Sequence, residues 1–379
     1  MKVAFLSSYD PLSTKSWSGT PYYMLKALKD KNIVVDILGP VDTNFLYFLK
    51  IYKLILKLFG RNYDYSHSKL LSKVYAKKFS KKLEKLSNID FIIAPAGSTQ
   101  IAYLETEIPI IYLSDTTFDQ LKNYYPNFKS QNFLNDVDAS FIESKALEKA
   151  AIISFPSKWA SEFCMNFYRI ERKKIVEIQW GANFSEDNDL PFLGKSINSE
   201  KNIKIIFLGV DWKRKGGQVA FEAVKYLREK RKIDATLTIC GCTPDTILPE
   251  WVDVVGLLNK NIAAEHQKFI NLMRDADILL LPTVAECYGM VFCEAAAFGI
   301  PSVATDTGGI NSIVINEETG LLIKDAFDHE QFGDALYKIL SSENVYNYYS
   351  TSARKRYSAN LNWNIWAEKI IELMYEYKK

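Results

Sequence analysis

The segment from Asp277 to Gly309 constrains the fold of this chain more than any other segment. It begins with an apolar run, Ile278–Leu281, that ends at Pro282. An apolar run without alternating polar residues is typical of a parallel strand that is covered on both faces. A loop, a helix over Met290–Phe298 and a second strand from Ser302 to Thr305 are predicted to follow. Two strand-to-helix turns therefore open side by side at the carboxyl edge of one sheet, where open α/β sheets bind their ligands.

Two carboxylates, Glu286 and Glu294, flank the start of this predicted helix. Glu294 lies among small and apolar residues, where an unpartnered carboxylate would be costly to bury. The backbone N–H groups of Gly289, Met290 and Val291 form an anion site at the helix start. This arrangement suits a ligand with hydroxyls on both sides of a phosphate, such as a nucleotide-sugar. The alternative is that Glu294 faces solvent or pairs with a nearby lysine.

The ordered series of residues around Glu286 and Glu294 resembles the E-x7-E signature of retaining GT-B glycosyltransferases, specifically glycosyltransferase family 4. Pro282 stands before it, Gly289 inside it, and Gly299-Ile300-Pro301 after it. The resemblance implies an α/β fold of two Rossmann-like doubly wound domains facing across a cleft, with a nucleotide-sugar in that cleft. It also implies that Glu286 contacts the donor sugar, that Glu294 holds the ribose, and that the sugar is transferred with retention.

A second candidate donor loop follows the predicted strand Lys204–Leu208, where three cations precede two glycines. Cations placed by a loop that allows close backbone approach suit a diphosphate, and Arg214 and Lys215 are the candidates. Lys215 matches the lysine of the resembled family. Val210 stands where that family has an arginine, so Arg214 is the candidate replacement. The alternative is a solvated charged turn.

The N-terminal half begins with a predicted strand, Lys2–Ser8, and a turn at Gly19 before a helix. It contains no GxGxxG motif, which disfavours a dinucleotide-binding dehydrogenase. The backbone at Gly19 could approach a phosphate, and the resemblance implies that this loop lies beside the donor diphosphate. The alternative is an ordinary turn.

Asp115 follows the predicted strand Ile108–Leu113 and is expected at the edge of the sheet that faces the cleft. The resemblance implies that this position faces the acceptor, and Asp115 is therefore a candidate catalytic residue together with Glu286 and Lys215. The alternative role for Asp115 is that of N-cap for a helix over Phe118–Tyr125.

The length of 379 residues predicts about two domains. We expect an N-terminal acceptor domain over residues 1–183, a linker over 184–202, and a donor domain over 203–360. By the resemblance, a final helix over 361–379 crosses back to the first domain.

The segment 44–87 carries eleven Lys and Arg against two acidic residues, with large apolar residues between the lysines. Residues 1–183 hold 25 basic and 18 acidic residues, whereas the remainder holds 22 and 27. A basic amphipathic helix can lie in an anionic membrane interface. The alternative is a surface helix whose apolar face belongs to the core.

Several function classes are disfavoured. A formal net charge of +2 argues against dedicated nucleic-acid binding. The chain has no run of 18 apolar residues, its first residues predict a strand rather than a signal peptide, and its five cysteines are not spaced as metal ligands. They are expected to be reduced thiols of a cytoplasmic protein. No DxD pair lies near the predicted cleft, which favours transfer without a metal or other cofactor.

The expected partners are a UDP-, GDP- or ADP-sugar, a glycan or lipid-linked acceptor, and an anionic membrane surface, with no nucleic acid. The expected location is the cytoplasm, including the inner face of the membrane. Two alternatives to glycosyl transfer stay open: a nucleotide-sugar epimerase or hydrolase on the same fold, and a non-catalytic nucleotide-sugar-binding protein.

Overall fold

The computed structural model describes residues 1–58, 60, 63, 65–125, 133–184, 197, 202–244 and 247–379. The contacts divide the chain into two compact units. Unit 1 comprises Met1–Ile178 and Ala367–Lys379, and unit 2 comprises Gln179–Trp366. The predicted boundary lay after residue 183, and the predicted linker, 184–202, lies almost wholly outside the described residues. The last helix, Trp363–Tyr377, runs through the second division.

Within the described residues, unit 1 is built on six parallel strands in the order β2-β1-β3-β4-β5-β6. The strands are β1 Lys2–Phe5, β2 Val34–Ile37, β3 Phe91–Pro95, β4 Ile110–Leu113, β5 Ile152–Phe155 and β6 Ile175–Glu177. Besides the part of the last helix that belongs to this unit, its helices are Thr20–Asp30, Asn44–Leu58, Lys69–Leu83, Ser98–Ile101, Phe118–Tyr124, Phe133–Lys149 and Lys158–Tyr168. Every residue of β3 and β4 is buried, as the apolar runs predict for central strands.

Unit 2 repeats the plan with six described parallel strands in the order β12-β11-β10-β7-β8-β9. They are β7 Ile203–Leu208, β8 Ala235–Cys240, β9 Val252–Gly256, β10 Ile278–Leu281, β11 Ser302–Thr305 and β12 Gly320–Ile323. The helices that lie wholly in this unit are Gly217–Lys230, Ala263–Asp275, Met290–Ala297, His329–Ile339 and Glu343–Asn360. The predicted α/β fold with two doubly wound sheets is confirmed.

The strand order explains where a ligand can bind in unit 2. β7 pairs with β10 on one side and with β8 on the other, so the chain direction across the sheet reverses between β7 and β10. Loops that leave two such strands separate toward opposite faces and open a crevice at their carboxyl ends. The loop after β7 carries Arg214 and Lys215, and the loop after β10 carries Glu286.

Two elements differ from the sequence expectation. The helix Glu343–Asn360 was not predicted, because its sequence is polar and its buried positions are mostly tyrosines rather than aliphatic residues. Ser342 caps it by accepting a hydrogen bond from the N–H of Val345 at 3.3 Å. The sequence after Gly309 also predicts a helix over Ile310–Ile315, but the structure has only a 3-10 turn there, Ile310–Ser312.

The segment 44–87 contains two helices with different environments. Lys69–Leu83 buries a regular apolar stripe that includes Leu71, Phe79 and Leu83. This helix therefore fits the alternative to membrane binding, a surface helix whose apolar face belongs to the core. Asn44–Leu58 buries only Leu49. Arg61, one of the eleven basic residues of this segment, lies outside the described residues.

We expect Gly216→Ala to destabilise unit 2 strongly. Gly216 has φ +75°, and a Cβ on it would lie 1.9 Å from the carbonyl oxygen of Pro282. The left-handed backbone and the overlap with a backbone atom together should cost about 2–4 kcal/mol of unfolding free energy, measured by urea denaturation. Gly256→Ala is the matched control, because Gly256 has φ +74° but nothing within 4 Å of its Cβ position. Equal losses in the two variants would show that the packing of Gly216 against Pro282 contributes nothing.

Candidate functional site

The loops that follow β7 and β10 are joined by direct hydrogen bonds. The carbonyl oxygen of Arg214 accepts from the N–H of Val284 at 2.8 Å and from Thr283 Oγ1 at 3.2 Å. Arg214 Nη1 donates in turn to the carbonyl oxygen of Ala285 at 2.9 Å. The backbone that carries Glu286 is thus fixed against the backbone that carries Lys215.

Lys215 and Glu286 form a largely buried ion pair. Lys215 Nζ donates to Glu286 Oε2, and the two side chains are 10% and 13% exposed. Arg214 Nη1 lies 3.8 Å from the same carboxylate oxygen. The stem of Lys215 packs against Gly209, where a Cβ would lie 2.8 Å from Lys215 Cγ. Lys215 is therefore not part of a solvated turn, and the structure brings together three of the predicted donor-site residues.

Glu294 is buried, and it pairs with a lysine that the sequence analysis missed. Its side chain is 9% exposed, and Oε1 accepts a hydrogen bond from Lys260 Nζ at 2.6 Å. Lys260 Nζ also lies 3.9 Å from the centre of the Phe269 ring. Of the alternatives for Glu294, solvent exposure is wrong and pairing with a lysine is correct. The sequence does contain a signal for this pair. Lys260 lies in the loop after β9, and that loop opens at the same carboxyl edge of the sheet as the loop that carries Glu286.

The helix Met290–Ala297 begins between the two carboxylates. Its N-cap is Gly289, with φ +95° and no side-chain hydrogen bond to the first turn. A Cβ on Gly289 would lie 2.7 Å from the Phe292 ring and 3.1 Å from Glu286 Cγ, so glycine allows the close approach of the loop to the helix. The N–H groups of a first helical turn lack partners within the helix and carry a partial positive charge, which favours an anion here. Met290 and Val291 in this turn are half-buried.

Tyr288, in the loop between β10 and the helix Met290–Ala297, is bonded to the backbone of Trp180. Its Oη accepts from the N–H of Trp180 at 3.0 Å and donates to the carbonyl oxygen of Trp180 at 3.1 Å. The two rings pack edge to face with centroids 5.7 Å apart. Burial raises the pKa of Tyr288 well above its ordinary value, so it stays neutral as donor and acceptor. These contacts explain why the chain joins unit 2 as early as Gln179.

Unit 1 has a cavity of about 840 Å³ at the carboxyl ends of β1, β3 and β4. Asp115 lines it and is half-buried. The N-cap of the helix Phe118–Tyr124 is Thr117, so the alternative role of Asp115 as a cap is wrong. The cavity wall also contains Glu143, which is 2% exposed and accepts from Tyr112 Oη at 2.9 Å. Burial raises the pKa of Glu143 above its ordinary value.

Gly19 lies in a tight turn of unit 1. Trp17, Ser18 and Gly19 have φ of 48°, 55° and 84°, and the helix Thr20–Asp30 follows directly. The N–H of Gly19 donates to the carbonyl oxygen of Ser16 at 2.9 Å. That N–H is therefore already used inside the turn, and the contact of this loop with a diphosphate stays a prediction.

All five cysteines are free thiols. Burial raises the pKa of Cys293 to about 12 and that of Cys240 to about 11, so both are protonated at neutral pH. Among the described residues, no three His, Cys, Asp or Glu side chains converge as metal ligands. No helix in the described part of the chain is both long and apolar enough to cross a bilayer.

One segment of the chain matches a known family model. Residues 192–356 match the model of the family described as glycosyl transferases group 1. The chain is 32% identical over 142 residues to the D-inositol 3-phosphate glycosyltransferase of Paenarthrobacter aurescens (strain TC1), covering 35% of this chain and 34% of that protein. Relatives of the same name match over 23% to 59% of their own length.

Solved structures match almost the whole chain. Sucrose-phosphate synthase from Thermosynechococcus elongatus aligns with a TM-score of 0.70 and 16% identity, covering 99% of this chain and 98% of that one. Anabaena Alr3699/HepE in complex with UDP aligns with a TM-score of 0.67 and 14% identity, covering 99% and 100%. The fold is GT-B. The segment 192–356, which matches the family model, contains Arg214, Lys215, Glu286 and Glu294.

Proposed function

We propose that this GT-B protein is a glycosyltransferase that moves a sugar from a nucleotide-sugar to an acceptor hydroxyl with retention of configuration. The observation that carries the proposal is the arrangement around the first turn of the helix Met290–Ala297. The buried Lys215–Glu286 pair lies on one side of that turn, and the buried Glu294 lies four residues into the helix. This combination of anion site, cations and carboxylates falls inside the segment that matches the glycosyltransferase family.

The cations of the loop after β7 are assigned to the leaving group. Breaking the bond between the sugar and the diphosphate develops positive charge on the sugar and negative charge on the departing diphosphate. Lys215 and Arg214 are held by the Glu286 loop before the donor arrives, so little reorganisation is needed to face that negative charge. The first-turn N–H groups of Gly289, Met290 and Val291 add to the same field. With these cations supplying the positive charge, the reaction is proposed to proceed without a metal.

The two carboxylates are assigned to the sugars of the donor. Glu286 shares its carboxylate with Lys215 and Arg214, and these contacts orient it to accept hydrogen bonds from the donor sugar. Glu294 is assigned to the ribose hydroxyls. Lys260 compensates its buried charge through the 2.6 Å contact and leaves the second carboxylate oxygen for the ligand.

The acceptor is proposed to be a glycan or a lipid-linked glycan that binds in the cavity of unit 1, with Asp115 facing the reacting hydroxyl. Hydroxyl and carboxyl groups line this cavity together with aromatic rings, the mixture of side chains that binds sugars. The proposed location of the protein is the cytoplasm, including the inner face of the membrane.

The proposed activity is tested with purified protein and a panel of UDP-, GDP- and ADP-sugars. A structural neighbour has been solved in complex with UDP, so UDP-sugars come first. A donor at about 100 times its dissociation constant should stabilise the protein by about 2.7 kcal/mol in thermal unfolding. Transfer to an added acceptor supports the proposal. Free nucleotide with an epimerised or hydrolysed sugar, or binding without turnover, would instead assign one of the two alternative functions.

Glu294→Gln should weaken donor binding by roughly 1.5–3 kcal/mol, because a charged hydrogen bond to the ribose is replaced by a neutral one. The measurement is the donor-dependent thermal shift, taken relative to the unliganded variant so that loss of the Lys260 pair is subtracted. Glu229→Gln makes the same change at an exposed position of unit 2 and should leave donor binding unchanged. An unaltered donor affinity in a folded Glu294→Gln variant would assign Glu294 to structure alone.

Lys215→Ala should lower turnover by about 100-fold or more, because the departing diphosphate loses its buried cation. The variant will also be less stable, since Glu286 loses its closest partner, so rates are expressed per folded molecule. Lys213→Ala is the control, because Lys213 lies two residues away on the same loop but is exposed. Comparable rates per folded molecule in the two variants would remove Lys215 from the mechanism.

A further inference from the structure

The helix Asn44–Leu58 presents an apolar face that nothing else in the described chain covers. Leu49 is its one buried residue, at 4% exposed. Six of its large apolar side chains are 47% to 80% exposed, namely Tyr47, Phe48, Ile51, Leu54, Ile55 and Leu58. Isolated exposed apolar residues are common on protein surfaces, but a contiguous set of this size marks an interaction site.

These exposed side chains form one continuous face. With about 3.6 residues per turn, Tyr47, Ile51, Leu54 and Leu58 are spaced so that they fall along one line of the helix, and Ile55 lies beside them. The helix keeps a different face for the protein, where Leu49 packs. The apolar face is therefore not the core-facing side of an ordinary surface helix.

Lysines flank this face on one side. A second line of the helix, next to the line of apolar residues, contains Leu46, Lys50, Lys53 and Lys57. The three lysines are exposed. An apolar face with a row of lysines at its border is the arrangement by which a helix lies in the plane of a bilayer interface. Protein–protein interfaces, by contrast, are depleted in lysine.

We propose that the helix Asn44–Leu58 docks unit 1 on an anionic lipid bilayer. Its apolar face enters the boundary between headgroups and acyl chains, and Lys50, Lys53 and Lys57 lie at the level of the phosphates. Each basic residue near such a surface contributes favourable electrostatic attraction, and the apolar face adds the burial that makes docking stable.

The same helix connects the bilayer to the unit 1 cavity. Leu46, Lys50 and Lys53 line that cavity, and so do Asp115 and Glu143. Docking therefore places lysines at the point where a lipid headgroup would enter. The inference that the acceptor is a membrane lipid with an anionic headgroup rests on the proposed function, because it takes this cavity to be the acceptor pocket.

The neighbouring basic helix does not share these properties. In Lys69–Leu83, Lys78 Nζ donates to the carbonyl oxygen of Asp42 at 2.5 Å and Lys82 Nζ to that of Leu38 at 2.8 Å. Lys69 pairs with Asp138 at 3.0 Å. These lysines stabilise unit 1 internally, whereas Lys77, Lys81 and Lys85 are exposed and supply a control surface of equal charge.

The test is co-sedimentation of the full chain with vesicles of phosphatidylglycerol and phosphatidylcholine, compared with phosphatidylcholine alone. The intact protein should sediment with the anionic vesicles, and less so at high salt. Lys50/Lys53/Lys57→Glu should lower the partition coefficient by at least about 1000-fold, since three attractions of about 1 kcal/mol each are lost and three repulsions are added. Ile51/Leu54/Leu58→Ser, which changes exposed residues only, should lower it by roughly 100-fold.

Lys77/Lys81/Lys85→Glu makes the same change in net charge away from the apolar face and should lower the partition coefficient much less. Three results would each overturn the docking proposal: an intact protein that stays in the supernatant, a serine variant that binds like the intact protein, or a control variant that loses as much binding as Lys50/Lys53/Lys57→Glu. The donor-dependent thermal shift is measured on the same samples. Donor binding that persists while vesicle binding fails would reject the docking surface and leave the proposed function standing.

Discussion

The ion pair between Lys215 and Glu286 is the interaction on which the geometry of the unit 2 site depends. It joins the loops that leave β7 and β10, the two strands between which the chain direction across the sheet reverses. Removing one member of a buried pair typically costs about 3–5 kcal/mol, because the other charge stays buried without a partner. The hydrogen bonds of Arg214 to the same loop therefore matter as a second attachment. Lys215, Arg214 and Glu286 thus hold the two loops together and also carry the proposed chemistry. Few substitutions at these positions would preserve both the stability of the loops and the activity.

The helix Glu343–Asn360 donates hydrogen bonds to both ends of the segment that carries this site. Tyr346 Oη donates to the carbonyl oxygen of Asp277 at 3.0 Å, just before β10. Ser350 Oγ donates to that of Gly299 at 2.7 Å, and Arg354 Nη1 donates to that of Ala297. The last two bonds satisfy carbonyl groups at the end of the helix Met290–Ala297, which would otherwise lack partners. Both ends of the segment that carries Glu286 and Glu294 are thus fixed by one helix whose surface is mostly polar.

The sequence was sufficient for the central features of the fold and for the prediction that Lys215 and Glu286 belong to one site. Apolar runs bounded by Gly and Pro located β10 and β11, and the resemblance to GT-B glycosyltransferases implied that Lys215 and Glu286 lie in one site. The failures have a common physical cause. The helix Glu343–Asn360 buries Tyr346, Tyr349 and Tyr357 instead of an aliphatic stripe, so helical periodicity in hydrophobicity is weak there. The partner of Glu294 could not be chosen among many lysines without the fold, because Lys260 is 34 residues away in sequence.

The two units treat buried charge differently, and this difference bears on the chemistry proposed for each. In unit 2, Glu286 and Glu294 each have a lysine within hydrogen-bonding distance, which compensates their buried charge and orients them for the hydrogen bonds that we propose they accept from sugar hydroxyls. In unit 1, Glu143 is buried against the neutral Tyr112, and burial raises its pKa. The anionic headgroup proposed for the unit 1 cavity would instead contact Lys50 and Lys53, which line that cavity and are exposed, whereas Glu143 is bonded to Tyr112 within the wall.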